Sequence, residues 1–177
     1  MRSPMNGSQE EGRSASAVFY TKVESPVGTL LLAGDERALH QISFENGNHI
    51  VTVPTEWKLG KSPFKEAIRQ LNAYFGGELK QFDVPLSLAG TEFQLQVWNA
   101  LRKIPYGETI SYAQLARVIE NPKAVRAVGL ANGQNPVPII IPCHRVIGSD
   151  GSLTGFGGGL SNKKKLLALE SKQMVLL

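Results

Sequence analysis

The sequence predicts an α/β protein of the α+β kind, with a small antiparallel sheet and one helix first and a mostly helical unit after it. Three observations carry this prediction. Short apolar runs bounded by turn residues fill Val18 to Phe44, apolar positions at helical spacing dominate after Ser62, and two helix-start signatures stand at Thr91 and Ser111. A chain of 177 residues can bury a substantial core as one large domain or two small ones. The expected organisation is a disordered tail over 1–16, an α+β domain over 17–88 and a second domain over 89–177.

The tail is expected because its residues are polar and rich in Ser, Gly and charge. Val18 to Glu24, Gly28 to Gly34 and Ala38 to Phe44 then read as strands. Ser25-Pro26-Val27-Gly28 sets Pro and Gly where a type I turn uses them, and Gly34-Asp35 marks a second turn, so an antiparallel meander is the simplest arrangement. Val51 to Trp57 is ambiguous because Pro54 interrupts it. Ser62-Pro63 reads as a helix start, followed by Phe64, Ala67, Ile68, Leu71, Tyr74 and Phe75 on one face and Gly76-Gly77 as the stop. His40 and His49 lie near turns without acidic or thiol partners, and a bland role is expected for both.

In the second half, Thr91 with Gln94 has capping-box spacing, and the helix after it buries Phe93, Val97, Leu101 and Ile104. Pro105-Tyr106-Gly107 breaks that helix. Ser111 with Gln114 opens another, whose inner face is Leu115, Ala116 and Ile119. Asn121-Pro122 opens a third, from Lys123 to about Ala131, in which Val125 and Val128 face inward and Lys123 and Arg126 share another face. Ala124, Ala127, Gly129 and Ala131 are small, which lets backbone approach a duplex closely and leaves Arg126 as the one long projecting side chain. Two short helices joined by a tight turn make a helix-turn-helix, whose second member enters a DNA groove. A packed core helix with two solvated cations is the alternative reading of the same residues.

Gly148-Ser149-Asp150-Gly151 reads as a turn. The run Gly155-Phe156-Gly157-Gly158-Gly159 is either a flexible linker or a source of bare amides for a ligand ahead of a helix opening at Ser161. It lacks the spacing of a phosphate-binding loop. In the last helix Leu166, Leu167 and Glu170 fall on one side, and a carboxylate on an apolar stripe needs a partner. A histidine is the obvious one.

Charge and cysteine count narrow the function. The net charge is +4, with nine Lys and Arg against ten Asp and Glu up to Leu88 and ten against five from Ala89 onward, so the second half suits a polyanion. No apolar stretch approaches a membrane span and the N-terminus lacks the apolar core of a signal peptide, so a soluble, cytoplasmic protein with no membrane partner is expected. One cysteine excludes an internal disulfide and suits a reducing compartment. His40, His49, His144 and that cysteine form no recognised ligand spacing, so neither a metal nor a cofactor is expected.

The cysteine is Cys143, in Ile139-Ile140-Ile141-Pro142-Cys143-His144-Arg145-Val146-Ile147-Gly148. Pro142 bends the chain just before it, and an imidazole and a guanidinium follow, a neighbourhood expected to lower the thiol pKa. A core cysteine beside a structural histidine is the alternative. Cys143, His144 and Glu170, 27 positions after the cysteine, supply nucleophile, base and orienting group. Adjacent side chains diverge, so a water is expected to bridge Cys143 and His144.

The run PVPIIIPCHRVIG, Pro136 to Gly148, resembles the active-site signature of the O6-alkylguanine-DNA alkyltransferases, and the resemblance extends from about Thr91 to Glu170 through SYAQLA, NPKAVRAVG and ANGQNPVP. It implies a ribonuclease-H-like first domain and a winged-helix-like second one. It also implies a monomer acting on double-stranded DNA containing O6-alkylguanine, in the cytoplasm at the nucleoid or in a nucleus. The activity implied is irreversible transfer of the alkyl group, from O6-alkylguanine and also from O4-alkylthymine, to Cys143 after nucleotide flipping. His144 would be the water-mediated base, Glu170 would hold the imidazole, and Asn135 would brace the active-site turn. Tyr112 would assist flipping and protonate the departing guanine, and Arg126 would fill the space left by the extruded nucleotide. Lys123, Ser111, Ala127 and Gly129 would line the DNA face, and Pro138, Val146, Phe156, Gly157 and Gly158 the substrate pocket. Phe156 replaces the tyrosine of some members, and the zinc cluster of others has no counterpart. Homologues that bind without transferring carry tryptophan at the cysteine position. An alkylated-DNA recognition module and a cysteine hydrolase are the rival readings, and stoichiometry separates them from a single-use acceptor.

Overall fold

The computed structural model describes residues 15–49 and 51–175. The tail expected over 1–16 lies almost wholly outside the described residues. Strands β1 (Phe19–Val23), β2 (Leu30–Gly34) and β3 (Leu39–Phe44) form the expected antiparallel meander. The first turn closes through Gly28 N to Ser25 O at 3.0 Å, and Gly28 at φ +94° holds a conformation that glycine adopts without strain.

The sheet is not purely antiparallel. A two-residue strand β4 (Lys58–Leu59) pairs parallel to β1, giving the order β3-β2-β1-β4. Its pairing comes from backbone alone, with Lys58 N on Val18 O and Gly60 N on Tyr20 O, each at 2.9 Å. Both side chains are exposed, so no apolar alternation announced it. Likewise Pro63 starts a 3-10 turn, Ser62–Phe64, from which α1 (Lys65–Phe75) continues and buries Ala67, Ile68, Leu71 and Tyr74.

Both capping boxes are present. Thr91 caps α2 (Glu92–Leu101) and Ser111 caps α3 (Tyr112–Val118), with each glutamine side chain bonded back to the cap amide. Glu120 turns the chain at φ +58°. Helix α4 (Val125–Gly133) begins two residues later than the sequence suggested and ends later too. Lys123 therefore sits in the preceding turn, where Ala124 N bonds Asn121 O at 3.0 Å, and does not share a helix face with Arg126. Nor is Arg126 the one long projecting side chain, because Leu130, one turn on, is 65 % exposed.

A parallel pair, β5 (Ile110–Ser111) with β6 (Val146–Ile147), ties the start of α3 to the segment after the cysteine. Helix α5 (Leu160–Val175) opens one residue ahead of Ser161. One buried cluster runs through both halves of the chain, from Leu32 and Phe44 to Leu101, Ile141 and Leu166. Trp98 Nε1 clamps α2 to α4 through Ala131 O at 2.8 Å, and Ile42 N fastens β3 to Pro136 O at 2.9 Å. Among the described residues, no helix is long and apolar enough to cross a membrane.

Candidate active site

The segment between α4 and β6 is held by side chains of its own. Asn135 Nδ2 donates to Ile141 O at 2.8 Å while its Oδ1 accepts from Val137 N at 3.0 Å. Between these anchors Ile139 lies at φ +76°, in the left-handed region that a β-branched residue avoids. Such a residue costs on the order of 1–3 kcal/mol and persists only where its surroundings over-determine it. Here the Asn135 bonds and the burial of Ile139 do so. Cys143–Arg145 then form one 3-10 turn, and all three side chains are buried. Cys143 lines a cavity on one side of this turn, while bonds to Glu170 draw His144 and the long Arg145 side chain toward α5.

Glu170 is the hub on that side. Its Oε1 accepts from Tyr74 Oη at 2.7 Å and Arg145 Nη2 at 2.9 Å, and it lies 2.7 Å from His144 Nε2. Its Oε2 accepts from Arg145 Nε at 3.0 Å and Gly107 N at 3.2 Å. Burial opposes the charged carboxylate, yet the bonds from His144 and Arg145 win and hold its pKa at about 2. An ionised carboxylate only accepts, which assigns the proton of neutral His144 to Nε2. His144 Nδ1 is then the lone-pair nitrogen, buried and, among the described residues, without a hydrogen-bond partner. Burial lowers the imidazole pKa although Glu170 pulls it up, so the ring is a neutral base.

The thiol departs from the sequence expectation. Burial pushes Cys143 up to about 11, only partly offset by Asn135 and by the charge of Lys163. The guanidinium that was to activate it is engaged elsewhere, on Glu170 and on Ile104 O at 2.7 Å. At neutral pH Cys143 is a protonated thiol.

Cys143 opens on a pocket of about 220 Å³ lined by Asn135, Pro138, Phe156 and Gly157 from the second half and by Phe44 and His49 from the first. Val146 and Gly158, both expected in the wall, do not line it. Val146 is fully buried and paired with Ile110, and Gly158 leaves space for the Phe44 and Phe156 rings, which a Cβ there would meet at 2.8 Å. Those two rings meet edge to face at 5.5 Å. Tyr112 lies outside the lining, its hydroxyl donating to Thr154 O at 3.2 Å and its ring lying 3.7 Å from where a Gly129 Cβ would stand. Arg126 and Ala127 are exposed on α4, with Lys123 exposed just before it.

Three residues of this neighbourhood escaped sequence reasoning. Lys163 is fully buried and donates to Val146 O at 2.6 Å and Thr154 O at 2.8 Å, fastening the glycine run to β6. It stands in a run of three lysines, Lys163-Lys164-Lys165, but its spacing of three to Leu166 and seven to Glu170 puts it on the buried stripe. Tyr74 was assigned only to packing. His49, expected to be bland, lines the thiol pocket, and His40 has an acidic neighbour after all, its Nε2 lying 3.3 Å from Asp35 Oδ2. Among the described residues, no three His, Cys, Asp or Glu side chains group to hold a metal.

Two family models match the chain, both from 6-O-methylguanine DNA methyltransferases, the ribonuclease-like domain over residues 18–88 and the DNA binding domain over 92–172. The methylated-DNA--protein-cysteine methyltransferase of Methanosarcina acetivorans is 56 % identical over 153 residues, covering 86 % of this chain and 98 % of the relative. That of Mycolicibacterium paratuberculosis is 51 % identical over 155 residues, 88 % of this chain and 93 % of its own. Among solved structures, Mycobacterium tuberculosis OGT in complex with DNA superimposes with a TM-score of 0.82 at 51 % identity, covering 88 % of this chain and 94 % of the other.

Proposed function

The chain belongs to the 6-O-methylguanine DNA methyltransferase family, and from that premise we propose that it repairs alkylated DNA by direct reversal, moving the alkyl group of O6-alkylguanine in duplex DNA onto Cys143 once and irreversibly. The observation that carries this reading is a buried thiol lining a pocket and followed in the chain by a buried histidine whose Nε2 lies 2.7 Å from Glu170 Oε1. Matched segments over 18–88 and 92–172 support a division into domains 17–88 and 89–177. A free cysteine as sole acceptor suits the reducing, DNA-containing compartment, cytoplasm or nucleus.

In this mechanism the target nucleotide leaves the base stack, because its O6 substituent is out of reach of in-line attack within the duplex. Arg126, exposed on α4, fills the gap it leaves. Lys123 and the small face formed by Ser111, Ala127 and Gly129 lie against the backbone. The purine enters between Pro138 and Phe156, with Gly157 leaving room beside it. The Cys143 proton passes to His144 Nδ1 through a water, and the imidazolium is held by Glu170. Sulfur attacks the alkyl carbon, the C–S bond forms as the C–O bond breaks, and the electron pair stays on the guanine. That base takes a proton from the Tyr112 hydroxyl, which is replenished from solvent. The products are S-alkylcysteine and unmodified guanine.

The test is intact mass after incubation with duplex DNA carrying O6-methylguanine. One added methyl group per chain, located on Cys143, is expected. Repeated turnover would favour a hydrolase, and tight binding without mass change a recognition module.

A further inference from the structure

We propose that Tyr74, in the first half of the chain, is a positioning residue for alkyl transfer, because it shares with His144 the single Glu170 oxygen that orients the imidazole. The inference deepens the transfer reading and rests on it.

Tyr74 Oη and His144 Nε2 each lie 2.7 Å from Glu170 Oε1, and all three side chains are fully buried. A phenol buried only for packing needs no partner other than a carbonyl or a water. This one reaches from α1 to α5 and donates to the carboxylate of the candidate base pair. Burial, with the nearby Glu170, pushes its pKa far up, so it stays a donor throughout the working pH range. Its ring is fixed by Phe75 at 5.3 Å, Phe82 at 5.2 Å and Tyr106 at 6.0 Å, so the hydroxyl cannot swing away without repacking. The Glu170 charge is therefore divided among Tyr74, Arg145, the Gly107 amide and His144.

The consequence concerns how basic His144 is. The charged and titratable groups that act on it are Glu170 and Lys163 from α5 and Arg145 from its own turn, while Tyr74 from α1 donates to Glu170 and Tyr106 from the loop after α2 feels the Glu170 charge. The Cys143 thiol opens on the other side of the turn. Each donor on Oε1 other than His144 withdraws negative charge that would stabilise imidazolium. Removing the phenol returns that charge to His144, so the ring takes up a proton at higher pH. Transfer needs the neutral ring, so the acid limb of the rate profile should move up.

The experiment follows single-turnover alkylation of Cys143 by free O6-benzylguanine, which needs no DNA, across about pH 5 to pH 9 with intact mass as readout. Tyr74→Phe keeps the ring and loses the donor. Its acid limb should move up by roughly half a unit to one unit. In a second arm, 3-fluorotyrosine at position 74 alone supplies a more acidic, stronger donor, and the limb should move down. This arm decides the matter if the Phe variant does not fold. A merely structural phenol would change the rate equally at every pH, so a limb that stays in place in folded protein, or moves in the opposite sense, overturns the proposal. If wild-type protein fails to alkylate at Cys143, it is the transfer reading that falls instead.

Discussion

Glu170→Gln perturbs the buried network at its centre, and its cost follows from the bond count. The carboxylate accepts three donors at Oε1 and two at Oε2. An amide of the same shape accepts only at its oxygen, so its NH2 group confronts at least the Arg145 Nε–H and the Gly107 N–H. Arg145, 6 % exposed, is left a buried cation without its counter-charge. Breaking one side of a buried ion pair costs about 3–5 kcal/mol. The depressed pKa, set by the same bonds, gives a figure of the same order, because lowering the carboxyl from 4.5 to about 2 corresponds to roughly 3 kcal/mol of native stability. For a chain of this size that is a fall in Tm of about 6–12 °C. The pH dependence has a definite sign. The folded pKa lies below the unfolded one, so the contribution is complete above about pH 4.5 and is lost as pH falls toward 2. Urea unfolding of both proteins at several pH values is the assay. The wild type should lose its advantage over Glu170→Gln across that acid window. Equal stabilities at neutral pH, or a difference that stays constant down to about pH 2.5, would show that the carboxylate is not the electrostatic hub.

Cys143→Ser should abolish alkyl transfer, read by intact mass, while binding to O6-methylguanine duplex stays within about twofold, since the groove contacts come from other residues. Arg126→Ala should slow repair of duplex DNA by tenfold or more, on the order of 1.4 kcal/mol, yet leave reaction with free O6-benzylguanine nearly unchanged; equal losses on both substrates would assign the residue another task. Because burial pushes the Cys143 thiol up to about 11, carbamidomethylation by iodoacetamide should climb steadily from pH 7 to pH 10, and a plateau below about pH 8 would show a thiolate at rest.

What could be read from the sequence depended on how local its cause was. The Thr91 and Ser111 capping boxes are four-residue interactions, and both stand as written. The meander was legible because alternation and turn residues act over short spans, and the pairing of Glu170 with His144 because a carboxylate on an apolar stripe had few alternatives. Strand β4 was not legible, since its two exposed residues are recruited by β1 through backbone atoms alone. The same holds for Tyr74, whose hydroxyl meets a carboxylate 96 positions away. The direction of the Cys143 shift was missed for a different reason. Adjacent cations in sequence suggested activation, but the turn sends Arg145 toward Glu170, and desolvation then governs the sulfur.

A thiol held protonated is consistent with an acceptor used only once. A standing thiolate would be spent on any small electrophile that reached it, whereas in the proposed transfer a buried thiol ionises only as its proton moves to His144 with an alkyl carbon in the pocket. The network is suited to that conditional step. Glu170, kept ionised by its bonds from His144 and Arg145 and bonded also by Tyr74, orients His144 Nε2–H. Burial keeps His144 neutral, and among the described residues its Nδ1 has no hydrogen-bond partner. Charge separation between sulfur and imidazole is then favoured only as the C–S bond begins to take up the negative charge. Under the role proposed for Tyr74, the first half of the chain, through one phenol on Glu170 Oε1, helps to set the basicity of His144.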